Sequence, residues 1–155
     1  MSLSSTAAVR KIVFECARIA QSNSRVSPQL DSYLAQFLSV KLCGLYEESI
    51  EQMVRDRAQR TGDAAIAAYV SWAADKLFKN PDYSTIKGMI GTLDSQKAKQ
   101  LDTRFTSDKQ LALNSIVTNR HSVAHGKPAN VTMRDVVGFF RKSRHIVPVL
   151  EDLLK

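Results

Sequence analysis

Apolar residues recur every three or four positions along almost the whole chain, and no segment alternates apolar and polar residues as a strand does. This period places the apolar side chains on one face of each of several helices, so it predicts an all-α fold. The first predicted helix covers residues 5–21. Its apolar face comprises Val9, Ile12, Val13, Cys16, Ile19 and Ala20.

Capping residues predict the next two helices. The second helix begins with Ser27 as N-cap and Pro28 at the first helical position, where the missing N–H of proline is harmless. It continues for about thirty residues and stops before Asp63, which caps the third helix. The third helix ends at the Asn-Pro-Asp segment 80–82. We expect it to fill the core with Ile66, Tyr69, Val70, Trp72 and Ala73.

The second half of the chain predicts shorter helices followed by a long one. Residues 84–104 should form one or two short helices, because two glycines and a polar stretch weaken a continuous helix there. Ser107 and Asp108 are the predicted cap of a fourth main helix that runs to about His125. Gly126 then ends this helix in a left-handed conformation.

Thr132 and Asp135 have the spacing of a capping box and predict the start of a last helix that reaches the C-terminus. Pro148 has no N–H for the carbonyl of Arg144, so we expect a kink inside this helix. The predicted fold is an up-and-down helical bundle with additional short helices, and its four main helices begin near residues 5, 27, 107 and 132.

The composition is that of an ordinary globular protein. The 155 residues correspond to one domain, 1–155, and the 44% hydrophobic and 24% charged residues exclude a disordered tail. Cys16 and Cys43 lie at apolar helical positions, so we interpret them as buried thiols. The longest nearly apolar run has eleven residues, too few for a membrane span, and the first residues lack the pattern of a secretion signal. We therefore expect a cytoplasmic protein without membrane contact.

Positive charge is concentrated in the C-terminal part of the chain. The formal net charge is +7, and residues 97–155 contain 11 basic and 5 acidic side chains, against 11 and 10 in residues 1–96. Clustered cations bind phosphate backbones, so the C-terminal part is the predicted contact for RNA. A basic surface that is merely solvated explains the charge equally well.

Arg120 occupies an unexpected position on the fourth main helix. On a helical wheel it lies near the centre of the apolar sector formed by Leu113, Ile116, Val117, Val123 and Ala124. An unpaired guanidinium in an apolar interior is costly. Three interpretations remain open: a buried carboxylate partner, extension of the side chain into water, or a polar site built for an anion.

His121 and His125 stand one turn apart on the same helix. This is also the spacing of paired zinc ligands, but the sequence offers no glutamate between them and only His145 as a further histidine. We therefore expect neither a metal nor a cofactor. His125 lies at the helix C-terminus, where the helix dipole favours its protonated form, so it is a candidate proton donor.

The segment Arg120-His121-Ser122-Val123-Ala124-His125-Gly126, late in a helical chain of this size, resembles the Arg-polar-x-x-x-His motif of the HEPN superfamily. With the preceding Val117-Thr118-Asn119, it is most similar to the RiboL-PSP-type HEPN domain, although His121 stands where asparagine is commoner. Many HEPN proteins are metal-independent endoribonucleases that act as dimers, often in toxin or defence systems.

The resemblance implies a catalytic site of Arg120, His121 and His125. Arg120 would bind phosphate and His125 would act as general acid or base during attack by the RNA 2′-hydroxyl. On an ideal helix these two side chains point about 140° apart, so either the last turn unwinds or a second subunit completes the site. Further implied RNA-binding residues are Asn119, Lys127, Arg134, Arg141 and Arg144.

A second function remains open, because other HEPN domains are inactive. In this alternative the chain is a non-catalytic module that binds RNA or a protein. The expected partners are RNA, a second copy of the chain, and an antitoxin or regulatory protein.

Overall fold

The computed structural model describes residues 11–16, 18, 27–77, 79–127 and 131–154. Within these residues no strand is present, which confirms the predicted all-α bundle. Residues 11–16 are helical. The described part also contains seven further helices: α1 (Pro28–Gln59), α2 (Ala64–Leu77), α3 (Tyr83–Leu93), α4 (Ser95–Arg104), α5 (Ser107–Ala124), α6 (Met133–Ser143) and α7 (Ile146–Leu153).

The long helix α1 is the centre of the bundle and packs against α2, α5, α6 and α7. Its two hydrogen bonds to α6 occur in the same order along both helices. Asp31 near the start of α1 accepts from the Met133 amide at the start of α6, and Tyr46 further along α1 bonds Ser143 at the end of α6. Helix α6 therefore runs parallel to α1. Helix α5 packs on both. It runs antiparallel to α6, because Lys142 near the end of α6 acts electrostatically on Asp108 in the first turn of α5. Fully buried side chains of these helices form the core, including Leu38, Leu42, Ile50, Leu113 and Ile116.

Two short helices, α3 and α4, occupy the region in which one or two were predicted. The Asn114 side chain of α5 accepts a hydrogen bond from the Tyr83 amide at 2.9 Å and so fixes the start of α3. The Tyr83 ring stacks on Phe105 with 5.7 Å between centroids, and its hydroxyl donates to Asp102 of α4. These contacts hold α3 and α4 on the side of the bundle.

Most predicted caps are confirmed. Ser27 and Asp63 accept backbone N–H bonds at the starts of α1 and α2, and Thr132 with Asp135 forms the capping box of α6. Gly126 has the left-handed φ of +65° that was expected after the fourth main helix. The prediction for the start of that helix was wrong by one residue: Thr106 is its N-cap, because Ser107 already has helical geometry.

The prediction that α2 fills the core with its large side chains was wrong. Tyr69 and Trp72 are 68% and 59% exposed, Ile66 is also exposed, and their side of the helix faces away from α1. Because α2 carries apolar residues around its whole circumference, periodicity could not identify the buried side. The side that packs is built on small and branched residues, with Ala74 buried and Val70 partly buried.

The predicted single C-terminal helix is two helices, so the expected kink inside it was also wrong. Helix α6 ends at Ser143 and α7 begins at Ile146, before Pro148 is reached. The proline ring would collide with the carbonyl of Arg144, four residues earlier, if the helix continued. The chain therefore breaks at Arg144 and His145, and Pro148 sits in the first turn of α7, where no N–H is needed.

The described part of the first predicted helix is consistent with the expectation. Val13 and Cys16 are buried, whereas both predicted ends, Val9, Ile19 and Ala20 lie outside the described residues. Cys16 and Cys43 are both buried free thiols, as predicted. None of the described helices is both long and apolar enough to cross a bilayer.

Candidate RNA-binding and catalytic site

The C-terminus of α5 holds His125 in a defined position. His125 is the C-cap, the Gly126 amide donates to the Val123 carbonyl at 3.1 Å, and the Lys127 amide donates to the Ser122 carbonyl at 2.9 Å. This pair of bonds is the Schellman arrangement that ends a helix on a left-handed glycine. The backbone around His125 is therefore fixed while its side chain is exposed to solvent.

His121 and His125 form an exposed pair of imidazoles. Their ring centroids are 4.3 Å apart, as the one-turn spacing predicts. Among the described residues, no group of three or more histidine, cysteine or acidic side chains is arranged to hold a metal ion. The pair has the proton-transfer groups that acid-base chemistry needs, in a position that a large substrate can reach.

Arg120 lies half-buried on the side of α5 that carries the buried Ile116 and Val117. Among the residues that the structure describes, no carboxylate forms an ion pair with it. Of the three interpretations of Arg120, the buried carboxylate partner is therefore wrong within the described chain. A half-buried cation without a counterion is available to an anionic ligand.

The thiol of Cys43 on α1 lies in the field of Arg120. Burial and, to a smaller extent, Glu47 raise the pKa of Cys43 to about 12, and Arg120 acts in the opposite direction. Cys43 is fully buried and protonated at neutral pH, so it neutralises none of the charge of Arg120. This leaves the guanidinium charge uncompensated at the α1–α5 contact.

Arg120 and His125 do not converge within one chain. Helix α5 continues to Ala124, and the His125 amide donates to the His121 carbonyl at 3.2 Å, so the last turn is not unwound. Five helical residues then separate the two side chains by about 140° around the helix axis. Of the two explanations given for the motif, local unwinding is wrong, and completion by a second subunit stays a prediction.

The predicted RNA-binding cations divide into two groups. Lys127 and Arg134 are exposed at the end of the α5–α6 pair that carries His125, because α6 begins nine residues after α5 ends and runs antiparallel to it. Arg141 and Arg144 are exposed at the other end of α6. At that end, the pKa of Asp108 in the first turn of α5 is lowered mainly by the hydrogen bond from Thr106, and the neighbouring Lys142 makes a smaller contribution.

A groove between α5 and α6 was missed by the sequence analysis. It is lined by Leu111, Asn114, Ser115, Thr118, Asn119, Val131, Asp135 and Phe139, and it includes one predicted RNA-binding residue, Asn119. The sequence does contain a signal for it. Polar or small residues follow Leu111 at steps of four and three through Ser115, Thr118 and Ser122 to His125, which marks an α5 face that is not packed into the core.

These features define an all-helical domain with exposed histidines and cations at the C-terminus of α5. The chain belongs to the RiboL-PSP-HEPN family, whose model matches residues 5–155. HEPN domains are frequently ribonucleases and are often dimers. No curated protein and no solved structure matches the chain at a significant level.

Proposed function

We propose that this chain is a single HEPN domain that acts as a metal-independent endoribonuclease on single-stranded or loop RNA. One observation carries the proposal: in a chain of the HEPN family, Arg120 and His125 have the spacing of the HEPN motif, and His125 is exposed at a rigid helix end. Toxin or defence activity in the cytoplasm, restrained by an antitoxin or regulatory protein, is the corresponding biological role.

The proposed reaction is an internal transesterification. The RNA 2′-oxygen forms a bond to the adjacent phosphorus, the bond from phosphorus to the 5′-oxygen breaks, and the products are a 2′,3′-cyclic phosphate and a 5′-hydroxyl. His125 removes the 2′-hydroxyl proton or protonates the leaving 5′-oxygen, with His121 beside it as a second proton-transfer group. Arg120 binds the phosphate, whose charge increases in the transition state.

A homodimer brings the required groups together in this proposal. Since Arg120 and His125 lie on different sides of α5, the arginine of one subunit would face the histidine of the other across a two-fold axis. Lys127 and Arg134 of both subunits, at the same end of the fold, add the positive potential that single-stranded RNA requires. Arg141 and Arg144 would contact more distant parts of the strand.

The second candidate function is a non-catalytic module that binds RNA or a protein. The divergence of Arg120 and His125 within one chain favours it, because an isolated subunit cannot place both groups on one phosphate. Loss of activity in a His125 variant distinguishes the two functions, since a binding module has no activity to lose.

His125→Ala should abolish cleavage of single-stranded RNA, a loss of at least about 10²-fold, because it removes a general acid or base. The fold should be unchanged, since the side chain is exposed and makes no packing contact with the core. Cleavage of end-labelled RNA is measured with and without EDTA, and the ends of the products are identified. Wild-type activity should persist in EDTA and give 2′,3′-cyclic or 3′-phosphate ends.

His145→Ala is the matched control, because it removes an exposed imidazole beside Arg144 at the start of α7, at the opposite end of α6 from His125. It should cleave RNA like the wild type. A requirement for a divalent ion, or cleavage that survives in the His125→Ala protein, would contradict the proposed site. RNA binding without any cleavage would establish the binding-module alternative.

A further inference from the structure

The α5–α6 groove is large enough for a small organic group. Its volume is about 430 Å³, within the range of about 300–1,000 Å³ that is usual for ligand sites. Phe139 and Leu111 supply apolar surface, and Ser115, Thr118 and Asn119 supply polar atoms. This combination of a flat aromatic contact with hydrogen-bonding edges is how proteins hold an unpaired base.

The groove lies on the face of α5 that also carries the candidate catalytic histidine, two helical turns further along the helix. Ser115, Thr118 and His125 belong to the same face of α5, and Thr118 precedes His125 by two helical turns, about 10 Å along the axis. A base held in the groove therefore belongs to a nucleotide close to the one whose phosphate reaches His125.

Two oxygen atoms of the groove lining are available as acceptors. Asp135 uses Oδ2 for the amide and hydroxyl of Thr132, while its Oδ1 accepts no hydrogen bond from the residues that the structure describes. Asn119 donates through Nδ2 to the Ser115 carbonyl at 2.8 Å, and its Oδ1 is likewise without a donor among the described residues. The hydrogen bonds from Thr132 lower the pKa of Asp135, so the carboxylate is charged at neutral pH.

A carboxylate in the groove selects against phosphate and in favour of N–H donors. Cations for the phosphates lie outside it, at Lys127 and Arg134. Asp and Glu accept hydrogen bonds from exocyclic amino groups of bases, whereas uracil presents only carbonyl oxygens and one ring N–H on its pairing edge.

We propose that the groove is a base-binding subsite that prefers an RNA base with an exocyclic amino group over uracil. Asp135 Oδ1 and Asn119 Oδ1 accept the amino protons, and Phe139 contacts the ring. This inference rests on the proposed action on RNA and adds the base preference to it.

The test uses eight-nucleotide 2′-fluoro-uridine strands, which lack the nucleophilic hydroxyl and cannot be cleaved by the proposed reaction. The central base is uracil, guanine, adenine or cytosine, and binding is measured by fluorescence anisotropy. Strands with an amino-bearing base should bind about tenfold more tightly than the all-uracil strand. Asp135→Asn, whose amide also donates to uracil, should reduce this preference to about twofold or less.

Asp108→Asn is the matched control, since Asp108 is also exposed, also lies in the first turn of a helix and also bonds a threonine hydroxyl, but lies outside the groove. It should keep the full preference. If loss of the capping box unfolds the Asp135→Asn protein, Ser115→Leu replaces it. Among the described residues, the Ser115 hydroxyl bonds only the Leu111 carbonyl of its own helix, so the larger side chain narrows the groove without removing a contact between these helices.

Equal binding of all four strands, or an unchanged preference in both groove variants, would overturn the base subsite. Cleavage of unmodified RNA is measured separately. Cleavage without a base preference removes the subsite and leaves the nuclease proposal standing, whereas a groove-dependent preference without cleavage supports the subsite and removes the nuclease proposal.

Discussion

At the scale of single residues, Arg120 combines two properties that rarely occur together. It lies half-buried beside the buried Ile116 and Val117 of α5, and no described carboxylate compensates its charge. With the carboxylate partner rejected, extension of the side chain into water and binding of an anion remain as interpretations. The second of these interpretations corresponds to the proposed contact to phosphate.

Replacing Arg120 should distinguish a phosphate contact from a packing role. Arg120→Ala should reduce both RNA affinity and cleavage, and Arg120→Lys should restore only part of each, because lysine keeps the charge but loses the bidentate geometry. Binding to uncleavable strands and initial cleavage rates measure the two effects. Full recovery with lysine would show that only the charge matters, and unchanged binding in the alanine variant would exclude the phosphate contact.

The buried thiol of Cys43 predicts a specific dependence of stability on pH. Its pKa is about 12 in the folded chain against 9.0 for an unperturbed thiol, so between these values only the unfolded chain ionises it. The free energy of unfolding should therefore fall as pH rises above about 9, by at most about 1.4 kcal/mol per pH unit from this group.

The measurement is urea unfolding between pH 8 and pH 10.5 for the wild type and for Cys43→Ala. The alanine variant is less stable throughout because of the cavity it creates, but its stability should fall less steeply with pH. Burial also raises the pKa of Tyr46 in both proteins, and the smaller contribution that Cys43 makes to this rise is lost together with the thiol in Cys43→Ala. Parallel curves for the two proteins would contradict the assignment to Cys43.

At the scale of helices, a buried hydrogen bond connects α1 to α6 and thereby supports the wall of the groove. The Ser143 hydroxyl donates its proton to the Phe139 carbonyl at 2.8 Å, so the Tyr46 hydroxyl, 2.8 Å away, is the donor to Ser143. Both side chains are buried. Replacing Tyr46 and replacing Ser143 should therefore lower the free energy of unfolding by different amounts.

Tyr46→Phe leaves Ser143 with its own bond and should cost about 1 kcal/mol, whereas Ser143→Ala leaves a buried hydroxyl without an acceptor and should cost more, about 1–3 kcal/mol. The double variant should lose less stability than the sum of the two single losses, because it leaves no Tyr46 hydroxyl without an acceptor. Urea unfolding gives all three values. Ser39→Ala is the matched control, since this buried serine bonds only the Ala35 carbonyl of its own helix; a loss equal to that of Ser143→Ala would contradict the role of Tyr46.

The helices themselves could largely be predicted from the sequence, because their ends are coded by local chemistry. Ser27, Asp63, Thr132 and Gly126 act within a few residues of their position, and each does in the fold what its residue type favours. The buried side of α2 could not be predicted, since it depends on which helix packs against it. The groove was missed for the same reason, because half of its wall comes from another helix.

The same division applies to the candidate site. The exposure of His121 and His125 follows from the apolar pattern of α5 alone, and the spacing of the pair follows from helix geometry. The separation of Arg141 and Arg144 from His125 does not, because it depends on the antiparallel packing of α5 and α6. The sequence therefore grouped Lys127, Arg134, Arg141 and Arg144 as one set of RNA-binding residues, although the fold divides them between the two ends of the α5–α6 pair.

At the scale of the whole molecule, two surfaces are suited to association with a second copy. One is the end of α5, where the exposed Ala124 lies beside Arg120. The other is the outer side of α2, where Tyr69 and Trp72 form an exposed aromatic pair with 6.0 Å between ring centroids. Only the first surface places the candidate residues of two subunits in one cleft, so the proposed mechanism requires that one.

Mixing two inactive variants tests this arrangement directly. If each site takes Arg120 from one subunit and His125 from the other, a mixed dimer of Arg120→Ala and His125→Ala subunits contains one intact site. After refolding together in equal amounts, half of the molecules are mixed dimers, so cleavage should return to about a quarter of the wild-type rate. If each site were built within one subunit, the mixture would stay inactive.

Substitutions on the two surfaces show which of them forms the dimer. Ala124→Arg adds volume and positive charge beside Arg120, so subunits that carry it should sediment as monomers at tens of micromolar. Arg120→Ala and His125→Ala subunits that also carry Ala124→Arg should not restore cleavage when they are mixed. Trp72→Lys is the matched control, because it places a cation on the α2 surface and should leave both dimerisation and recovery intact. Dimers that persist in Ala124→Arg but dissociate in Trp72→Lys would assign the interface to α2, and the shared cleft would then be wrong.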